Sequence, residues 1–298
     1  MNARFVRLFA IVASFVAVFV LATEAGAVDA RVAFIRKDGT GTYNLFVQTI
    51  GQPAIEIAQD VSSASWTPEG TLLFVNHASG VIHEADDKGK NVRSLDYEGT
   101  PVASENVLAF AGLIGNSPTV FAVLRSGGKP IRLGHGSGRI AISPDEQTVV
   151  FDGTILAEKE EDDFHGFVSV NLASVLAGEK LDPKPLFEKG EQPVFLRDGR
   201  LVYVNDHPRV PEIRIRNLET KEDRLLVSGA RVYYVTKGGQ KEYVVYLSDD
   251  IHAISPEGGS AFKLPFEKFG DVYGDVEGTR AIEPRGKIPT LWGKLKRR

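Results

Sequence analysis

A strand–turn–strand stretch in the middle of the chain decides the fold. It reads Ile140-Ala141-Ile142-Ser143-Pro144-Asp145-Glu146 and runs into Val149-Val150-Phe151. Proline presets the backbone for the second position of a tight turn, and the polar residues after it end the turn. The apolar runs on either side therefore predict two antiparallel strands joined by that turn. Similar turns are found at Trp66-Thr67-Pro68-Glu69-Gly70 and at Leu196-Arg197-Asp198-Gly199.

The second strand of this hairpin, an apolar run ending in an aromatic residue, recurs along the chain. It is found as Val32-Ala33-Phe34, Leu72-Leu73-Phe74, Leu108-Ala109-Phe110, Val149-Val150-Phe151, Leu201-Val202-Tyr203 and Val244-Val245-Tyr246. Successive aromatic residues are 40, 36, 41, 52 and 43 positions apart. A spacing near 40 residues with four short strands per unit is the period of a β-propeller blade.

Each repeat continues with a third strand of alternating polarity and a fourth, outer strand. Six units contain strands two to four, and five of them also have a clear first strand. We expect Asp271-Val272-Tyr273-Gly274 to supply the missing first strand, which predicts an all-β, six-bladed propeller of four-stranded antiparallel blades, closed by a C-terminal strand. Because residues 278–282 resemble a further second strand, seven blades are the alternative. Outside the strands, a single helical turn is expected at Leu172–Leu176.

Composition excludes several classes of protein. The 298 residues are 43% apolar and 25% charged, as in folded globular domains, and the formal net charge is −4. This balance gives no reason to expect nucleic acid as a partner, because nucleic acid favours a basic face. The chain has no cysteine, which excludes disulfides, thiol catalysis and thiolate zinc sites.

The first 27 residues have the pattern of a secretory signal peptide. Arg4 and Arg7 precede an apolar stretch at 8–21, and small residues end at Ala27. The stretch is 14 residues long, shorter than the roughly 20 that span a bilayer, which argues against a retained anchor. We therefore expect cleavage near Ala27, a periplasmic or secreted bacterial protein, no transmembrane segment after cleavage, a propeller domain at 28–284 and a basic tail at 285–298.

The repeat resembles the TolB-type, WD-like propeller repeat. The resemblance rests on the Ser143-Pro144-Asp145 turn with its flanking strands, on Trp66 to Phe74, and on Ile251 to Gly259, and it covers about residues 31–283. It implies a propeller-only relative of TolB, because TolB carries a further α/β domain for which this chain has no room. By analogy, it implies a non-enzymatic scaffold of the cell envelope that binds a protein or peptide.

Local motifs for catalysis or metal binding are absent from the sequence. None of the six histidines stands in a metal-ligand pair, and His83 and His252 occupy equivalent third-strand positions, either at a common channel or as ordinary half-buried residues. Gly134-His135-Gly136-Ser137-Gly138 lacks the first glycine of a nucleophile elbow, so we interpret it as a connecting loop. We therefore predict no catalytic residue, no cofactor and no metal ligand.

Partner binding is predicted at a few loops and at the tail. The candidate residues are Glu158, Glu160, Glu161, Asp162 and Asp163 of an acidic insertion in the longest repeat, His77 and His207 in loops after second strands, and Trp292 in the basic tail, which offers a peripheral contact. The alternative is a propeller enzyme, a lyase or hydrolase acting on sugar or peptide, with a site assembled across blades. His77, His207 and Asp206 are then the best candidate triad.

Overall fold

The structure is a computed structural model that describes residues 30–49, 52–156, 163–188, 190–205, 210–228, 234–238, 242–247, 250–264 and 282–284. These residues are almost entirely β, as the alternating apolar pattern predicts. In chain order the elements are β1 (Ala30–Lys37), β2 (Tyr43–Thr49), β3 (Ile55–Ala58), β4 (Val61–Trp66), β5 (Leu72–Asn76), β6 (Val81–Ala85), β7 (Arg93–Glu98), β8 (Thr100–Ala103), β9 (Val107–Ile114), β10 (Ser117–Leu124), β11 (Ile131–Ile142), β12 (Thr148–Ile155), β13 (Phe164–Asn171), α1 (Leu172–Leu176), β14 (Lys184–Phe187), β15 (Glu191–Phe195), β16 (Leu201–Asn205), β17 (Glu212–Arg216), β18 (Asp223–Ser228), β19 (Tyr234–Gly238), β20 (Tyr243–Leu247), β21 (Ile251–Ile254), β22 (Phe262–Lys263) and β23 (Ile282–Pro284).

The strands pair as antiparallel meanders of four. β4–β7 and β15–β18 are separate four-stranded sheets, and β8–β14 form one seven-stranded sheet. β19–β22 and β1–β3 belong to one eight-stranded sheet, in which β23 lies between β19 and β1. We call β23 with β1–β3 unit one, β4–β7 unit two, β8 to the start of β11 unit three, the end of β11 to β14 unit four, β15–β18 unit five and β19–β22 unit six.

All six predicted aromatic strands are present and share one register. Each aromatic side chain is buried and lies directly opposite a residue of the third strand. The pairs are Phe34 with Phe46, Phe74 with His83, Phe110 with Phe121, Phe151 with Val168, Tyr203 with Arg214 and Tyr246 with His252. The sequence repeat is therefore a repeat of tertiary structure, and the all-β prediction is confirmed.

The hydrophobic core lies between consecutive units. One cluster joins unit one to unit two through Leu45 and Trp66, and others continue in order from unit two to unit six. At the junction of units three and four, the fully buried Phe151 packs in the same cluster as Val120. Units two to five thus bury both of their faces against their neighbours.

The structure bears on three further expectations from the sequence: the closing strand, the glycine-rich stretch and the turn of helix. The strand that pairs with β1 is β23, with Ile282 opposite Val32 and Pro284 opposite Ala30, whereas residues 271–274 lie outside the described residues. The glycine-rich stretch Gly134–Gly138 is not a loop: it lies within β11, which passes without interruption from unit three into unit four. The predicted turn of helix is α1, at whose start the Asn171 side chain accepts the Ser174 N–H at 2.9 Å.

Each unit has two distinct ends. The loop between strands two and three lies at the end where strand one begins, which we call the upper edge; the turns after strands one and three form the lower edge. Contacts support this division, because the His77 N–H donates to the Asp60 carbonyl (2.7 Å) and the Gly99 N–H donates to the Gly80 carbonyl (3.0 Å). Loops after second strands therefore lie beside the connections between units.

Candidate functional site

Four polar side chains meet where β11 passes from unit three to unit four. The Ser137 hydroxyl donates to Asp152 Oδ2 at 3.1 Å, and Arg139 Nη1 lies 2.7 Å from Glu191 Oε1. Ser137 and Arg139 belong to β11, Asp152 to β12, and Glu191 begins β15 of unit five. This β11 cluster is assembled from two units at the upper edge, which makes it the strongest candidate site among the described residues.

Local sequence explains why the polar residues converge there. Gly136 and Gly153 face each other across β11 and β12, and the register then shifts before Ile140. A β-carbon on Gly136 would lie 2.6 Å from the Asp152 carbonyl oxygen, and one on Gly153 would lie 2.6 Å from the His135 carbonyl oxygen. The two glycines allow this close approach of the strands, and the bulge after them re-aims the side chains that follow.

Asp152 has an unusual environment for a carboxylate. Burial raises its pKa above the usual range, and the negative charge of Glu191 adds to this effect. The hydrogen bond from Ser137 and the charge of Arg139 act in the opposite direction but do not reverse it. A carboxyl group with a raised pKa in a partly buried cluster is a recognised mark of a functional site, though structural networks also produce it.

The histidines near the β11 cluster make other contacts. Arg132 Nη2 lies 2.6 Å from His135 Nε2, and Thr154 Oγ1 lies 3.0 Å from His165 Nδ1. Within the described ranges no histidine hydrogen-bonds to the cluster, so the arrangement is not a Ser-His-Asp triad. Nor do the described His, Asp and Glu side chains form a group of three placed to hold a metal ion.

Large apolar side chains are exposed on the upper edges of three consecutive units. Leu113 and Ile114 end the β9–β10 hairpin of unit three, with exposed fractions of 70% and 50%. Leu156 follows β12 in unit four and is 63% exposed, and Val210 precedes β17 in unit five and is 40% exposed. Groups of exposed apolar side chains are typical of interaction surfaces.

The lower edges, in contrast, are occupied by ion pairs between units. Arg125 of unit three contacts Glu69 and Glu84 of unit two at 2.6 and 3.3 Å. Arg200 of unit five contacts Glu257 of unit six. These charged groups connect units at the lower edge, as Arg139 and Glu191 do at the upper edge. The lower edge also exposes apolar side chains, at Ile55, Val92 and Leu124.

The structure describes only part of the predicted partner-binding set. His77 is exposed in the loop after β5, and Asp163 is partly exposed immediately before β13. Residues Glu158, Glu160, Glu161, Asp162, His207 and Trp292 lie outside the described residues, as does Asp206. The binding role of all these residues therefore stays a prediction.

His83 and His252 are ordinary strand residues. His83 stacks on Phe74 with ring centroids 5.4 Å apart, and His252 stacks on Tyr246 at the same distance. Each histidine thus covers the aromatic residue that ends the second strand of its own unit, so the two are strand residues and not members of a common channel site. The sequence did not predict Arg139, Asp152 or Glu191 as site residues, and Ser137 was interpreted as part of a connecting loop. The high density of glycines at 134–138 was the sequence feature that could have indicated the site.

Comparison with known proteins identifies the fold. No family model matches the chain, and no curated protein matches it. TolB from Acinetobacter baumannii is similar in structure, with a TM-score of 0.66, 16% identity, and coverage of 89% of this chain and 69% of that one. A putative TolB from Agrobacterium tumefaciens gives 0.58, 13%, 78% and 88%, and a gluconolactonase from Xanthomonas campestris gives 0.48, 12%, 74% and 85%. The chain therefore has a TolB-type β-propeller fold.

Proposed function

We propose that this protein is a non-enzymatic, six-bladed propeller of the bacterial envelope that binds a protein or peptide through its upper edge. The signal peptide at 1–27 is removed on export to the periplasm or beyond, the domain at 28–284 forms the ring, and the tail at 285–298 is an extension. The apolar side chains exposed on the upper edges of units three to five carry this proposal.

The repeat and the order of core contacts support six blades. The six aromatic residues that end the second strands pair with the third strands in the same way, and five core clusters join the units in sequence. β23 pairs with β1 at three positions and touches β19 at Gly238, so it supports closure between unit six and unit one. Closure protects the strand edges that an open array would expose.

Export and partner class extend the resemblance seen in the sequence. The described ranges contain no helix long and apolar enough to cross a bilayer. The acidic insertion of Glu158, Glu160, Glu161, Asp162 and Asp163 follows Leu156 within seven residues, so charge and apolar surface adjoin in the sequence. We assign partner contact to this insertion, with His77 and His207 as flanking contacts and Trp292 as a peripheral one.

The proposal is tested by capture of partners with the chain at 28–298. The chain is immobilised, exposed to a solubilised envelope fraction, and the bound proteins are identified by mass spectrometry. We expect a discrete partner whose recovery falls at least fivefold with Leu156→Ser and does not change with Leu225→Ser. Leu225 is a matched control, because it is 45% exposed but lies on the outer strand β18. Equal recovery with both variants would contradict binding at the upper edge.

A propeller enzyme is the second candidate, and the β11 cluster is the observation that favours it. Asp152 and Ser137 from unit four meet Glu191 from unit five, so the site is assembled across blades. A carboxyl with a raised pKa is suited to proton transfer in a lyase or hydrolase acting on sugar or peptide. A melting screen against small sugars and peptides, with Asp152→Asn as the control, tests this candidate. Stabilisation by one of them that the variant loses would favour the enzyme.

A further inference from the structure

A row of polar side chains extends the β11 cluster along the upper edge. His135 lies opposite Thr154, and Thr154 lies opposite His165, so the three side chains share one face of β11, β12 and β13. Asp152 precedes Thr154 by two residues on β12 and projects from the same face. The cluster and this row form one polar surface, which extends over about 10 Å because neighbouring strands lie roughly 4.8 Å apart.

Hydrogen-bonding groups of this polar surface are accessible to a ligand. The Arg139 side chain is 31% exposed and contacts Glu191 through Nη1, so the N–H groups on Nε and Nη2 are left for water or a ligand. The Glu191 side chain is 36% exposed, and this contact uses its Oε1. Thr154 Oγ1 engages Nδ1 of His165, whose ring is exposed. The surface therefore offers guanidinium donors beside carboxylate acceptors.

The polar surface carries charges of both signs. The carboxylates are Asp152 and Glu191, and the guanidiniums are Arg139 and Arg132, which lies 2.6 Å from His135 Nε2. An anionic ligand would compete with Glu191 for Arg139 and would be repelled by Asp152. A cationic ligand would compete with Arg139 for Glu191. An uncharged ligand leaves the ion pair intact, so this surface favours a neutral ligand with many hydrogen-bonding groups.

We propose that this polar surface binds a neutral oligosaccharide. A sugar hydroxyl both donates and accepts hydrogen bonds, so neighbouring hydroxyls can donate to Asp152 and Glu191 while they accept from Arg139. Hydrogen bonds of this kind, to ionised groups, are the strong ones. A peptide backbone instead carries its donors and its acceptors on separate groups. The inference rests on the proposal that the β11 cluster is a functional site, and it names the class of ligand.

Titrations of the chain at 28–298, followed by saturation-transfer difference NMR, test the proposal. The neutral probes are four trisaccharides, built from glucose, galactose, mannose or N-acetylglucosamine. Trigalacturonate, triglucosamine and terminally blocked trialanine are the anionic, cationic and peptide probes. At least one neutral sugar should bind with a Kd about tenfold lower than these three, which is the effect of one hydrogen bond to a charged group. Failure of all four neutral sugars, or equal binding of a charged sugar, would overturn the proposal.

Two arginines form a matched pair of variants that locates the binding. Arg139 and Arg200 are partly exposed, at 31% and 24%, and each contacts a glutamate of the next unit, Glu191 or Glu257. Arg139→Gln should raise the Kd of the neutral sugar about tenfold, because it removes the charged donors. Arg200→Gln, at the lower edge, should leave this Kd within twofold. Equal changes in the two variants would contradict binding at the β11 cluster.

Asp152→Asn separates loss of binding from loss of the fold. Burial raises the pKa of Asp152, so this variant should be at least as stable as the parent at pH 7, which melting curves verify. It replaces a carboxylate acceptor with an amide, and we therefore expect the Kd of the neutral sugar to rise about tenfold. An unchanged Kd would mean that the ligand does not contact Asp152, and the proposed site would be wrong.

The same titrations distinguish a wrong ligand class from a wrong site. If a charged sugar or the peptide binds and Asp152→Asn abolishes this binding, the neutral-sugar inference fails and the β11 cluster stands as a functional site. If no probe binds, the inference and the second candidate function both fail. Partner capture through Leu156 then decides the scaffold proposal independently, because it does not involve the β11 cluster.

Discussion

Replacing Glu84 with glutamine should destabilise the fold much more than replacing Glu69, although both carboxylates contact the same arginine. The Glu84 side chain, on β6, is 9% exposed. It accepts hydrogen bonds from Thr71 at 2.6 Å, from Arg93 at 3.0 and 2.6 Å, and from Arg125 at 3.3 Å. Arg125 belongs to unit three, so this carboxylate joins two units through one network.

The expected size of the effect follows from burial. Breaking a fully buried ion pair costs about 3–5 kcal/mol, because the remaining charge has no partner. Arg93 is 66% exposed and can turn to water, whereas Arg125 is 19% exposed and cannot do so freely. We therefore expect Glu84→Gln to cost about 2–3 kcal/mol, or roughly 5–10 °C in Tm for a domain of this size. Glu69 is 44% exposed, so Glu69→Gln should cost less than about 1 kcal/mol.

The pH dependence gives a second, independent readout. Burial raises the pKa of Glu84, but the hydrogen bonds from Thr71 and Arg93 and the charges of Arg93 and Arg125 outweigh it and hold the pKa below 4.5. A carboxyl with a lowered pKa stabilises the fold above its unfolded pKa, and this stabilisation is lost as pH falls through the folded value. The difference in unfolding free energy between the parent and Glu84→Gln should therefore be largest at pH 7 and should decrease below pH 4.5.

Urea unfolding followed by circular dichroism at pH 7, 5 and 3 measures both effects. The unfolding slope should stay unchanged, because the variant alters one interaction and not the surface exposed on unfolding. Equal free-energy losses for Glu84→Gln and Glu69→Gln would refute the argument from burial. A loss for Glu84→Gln that is as large at pH 3 as at pH 7 would refute the electrostatic origin.

Two further variants test the β11 cluster. Gly153→Ala should cost about 1–3 kcal/mol in urea unfolding, because its β-carbon would lie 2.6 Å from the His135 carbonyl oxygen, whereas Gly39→Ala, with nothing within 4 Å, should stay within about 0.5 kcal/mol. Asp152→Asn should be more stable than the parent at pH 7 and equal to it below pH 3.8, because burial raises the folded pKa and the parent loses stability as pH rises through it. A pH-independent difference would contradict the second expectation.

The repeat itself could be predicted from sequence because its signals are local. The aromatic residue that ends each second strand is recognised from the apolar residues immediately before it in the chain. The Ser143-Pro144-Asp145 turn likewise closes within six residues. In the structure the Ser143 hydroxyl donates to Asp145 at 2.6 Å and the Thr148 N–H donates to Ser143 Oγ at 2.9 Å, so the turn is stabilised by its own side chains.

The candidate site could not be predicted, because it depends on contacts between distant positions. Ser137 meets Asp152 across a register shift in β11, and Arg139 meets Glu191 from the next unit. Periodicity shows which residues face a core, but not where a strand will bend. The same limit applies to β23, since Ile282 lies in a stretch that resembles a second strand and yet pairs with β1 as the first strand of its unit.

Two glutamates at the lower edge connect neighbouring units. Glu146 and Glu242 both adopt left-handed backbone conformations, with φ of 58° and 51°. In unit five the turn position that corresponds to Glu146 is occupied by Gly199, with a φ of 85°. A side chain at such a position is strained, so it must bring a compensating contact. Each carboxylate accepts a backbone N–H from the turn of the preceding unit, from Asn106 at 2.8 Å and from Arg197 at 2.9 Å.

These two carboxylates show how consecutive units are joined at the lower edge. A carboxylate at the end of a first-strand turn connects neighbouring units without using the loops between strands two and three. The lower edge thus contributes repeated contacts that fix the relation between units, and the upper edge adds the pair of Arg139 with Glu191. The connection between β12 and β13, where the acidic insertion lies in the sequence, is at the upper edge, as are Leu113, Ile114, Leu156 and Val210. The longer connection of the same unit, residues 172–183 with α1, is at the lower edge. Exposed apolar side chains on three consecutive units therefore remain the feature that favours partner contact at the upper edge.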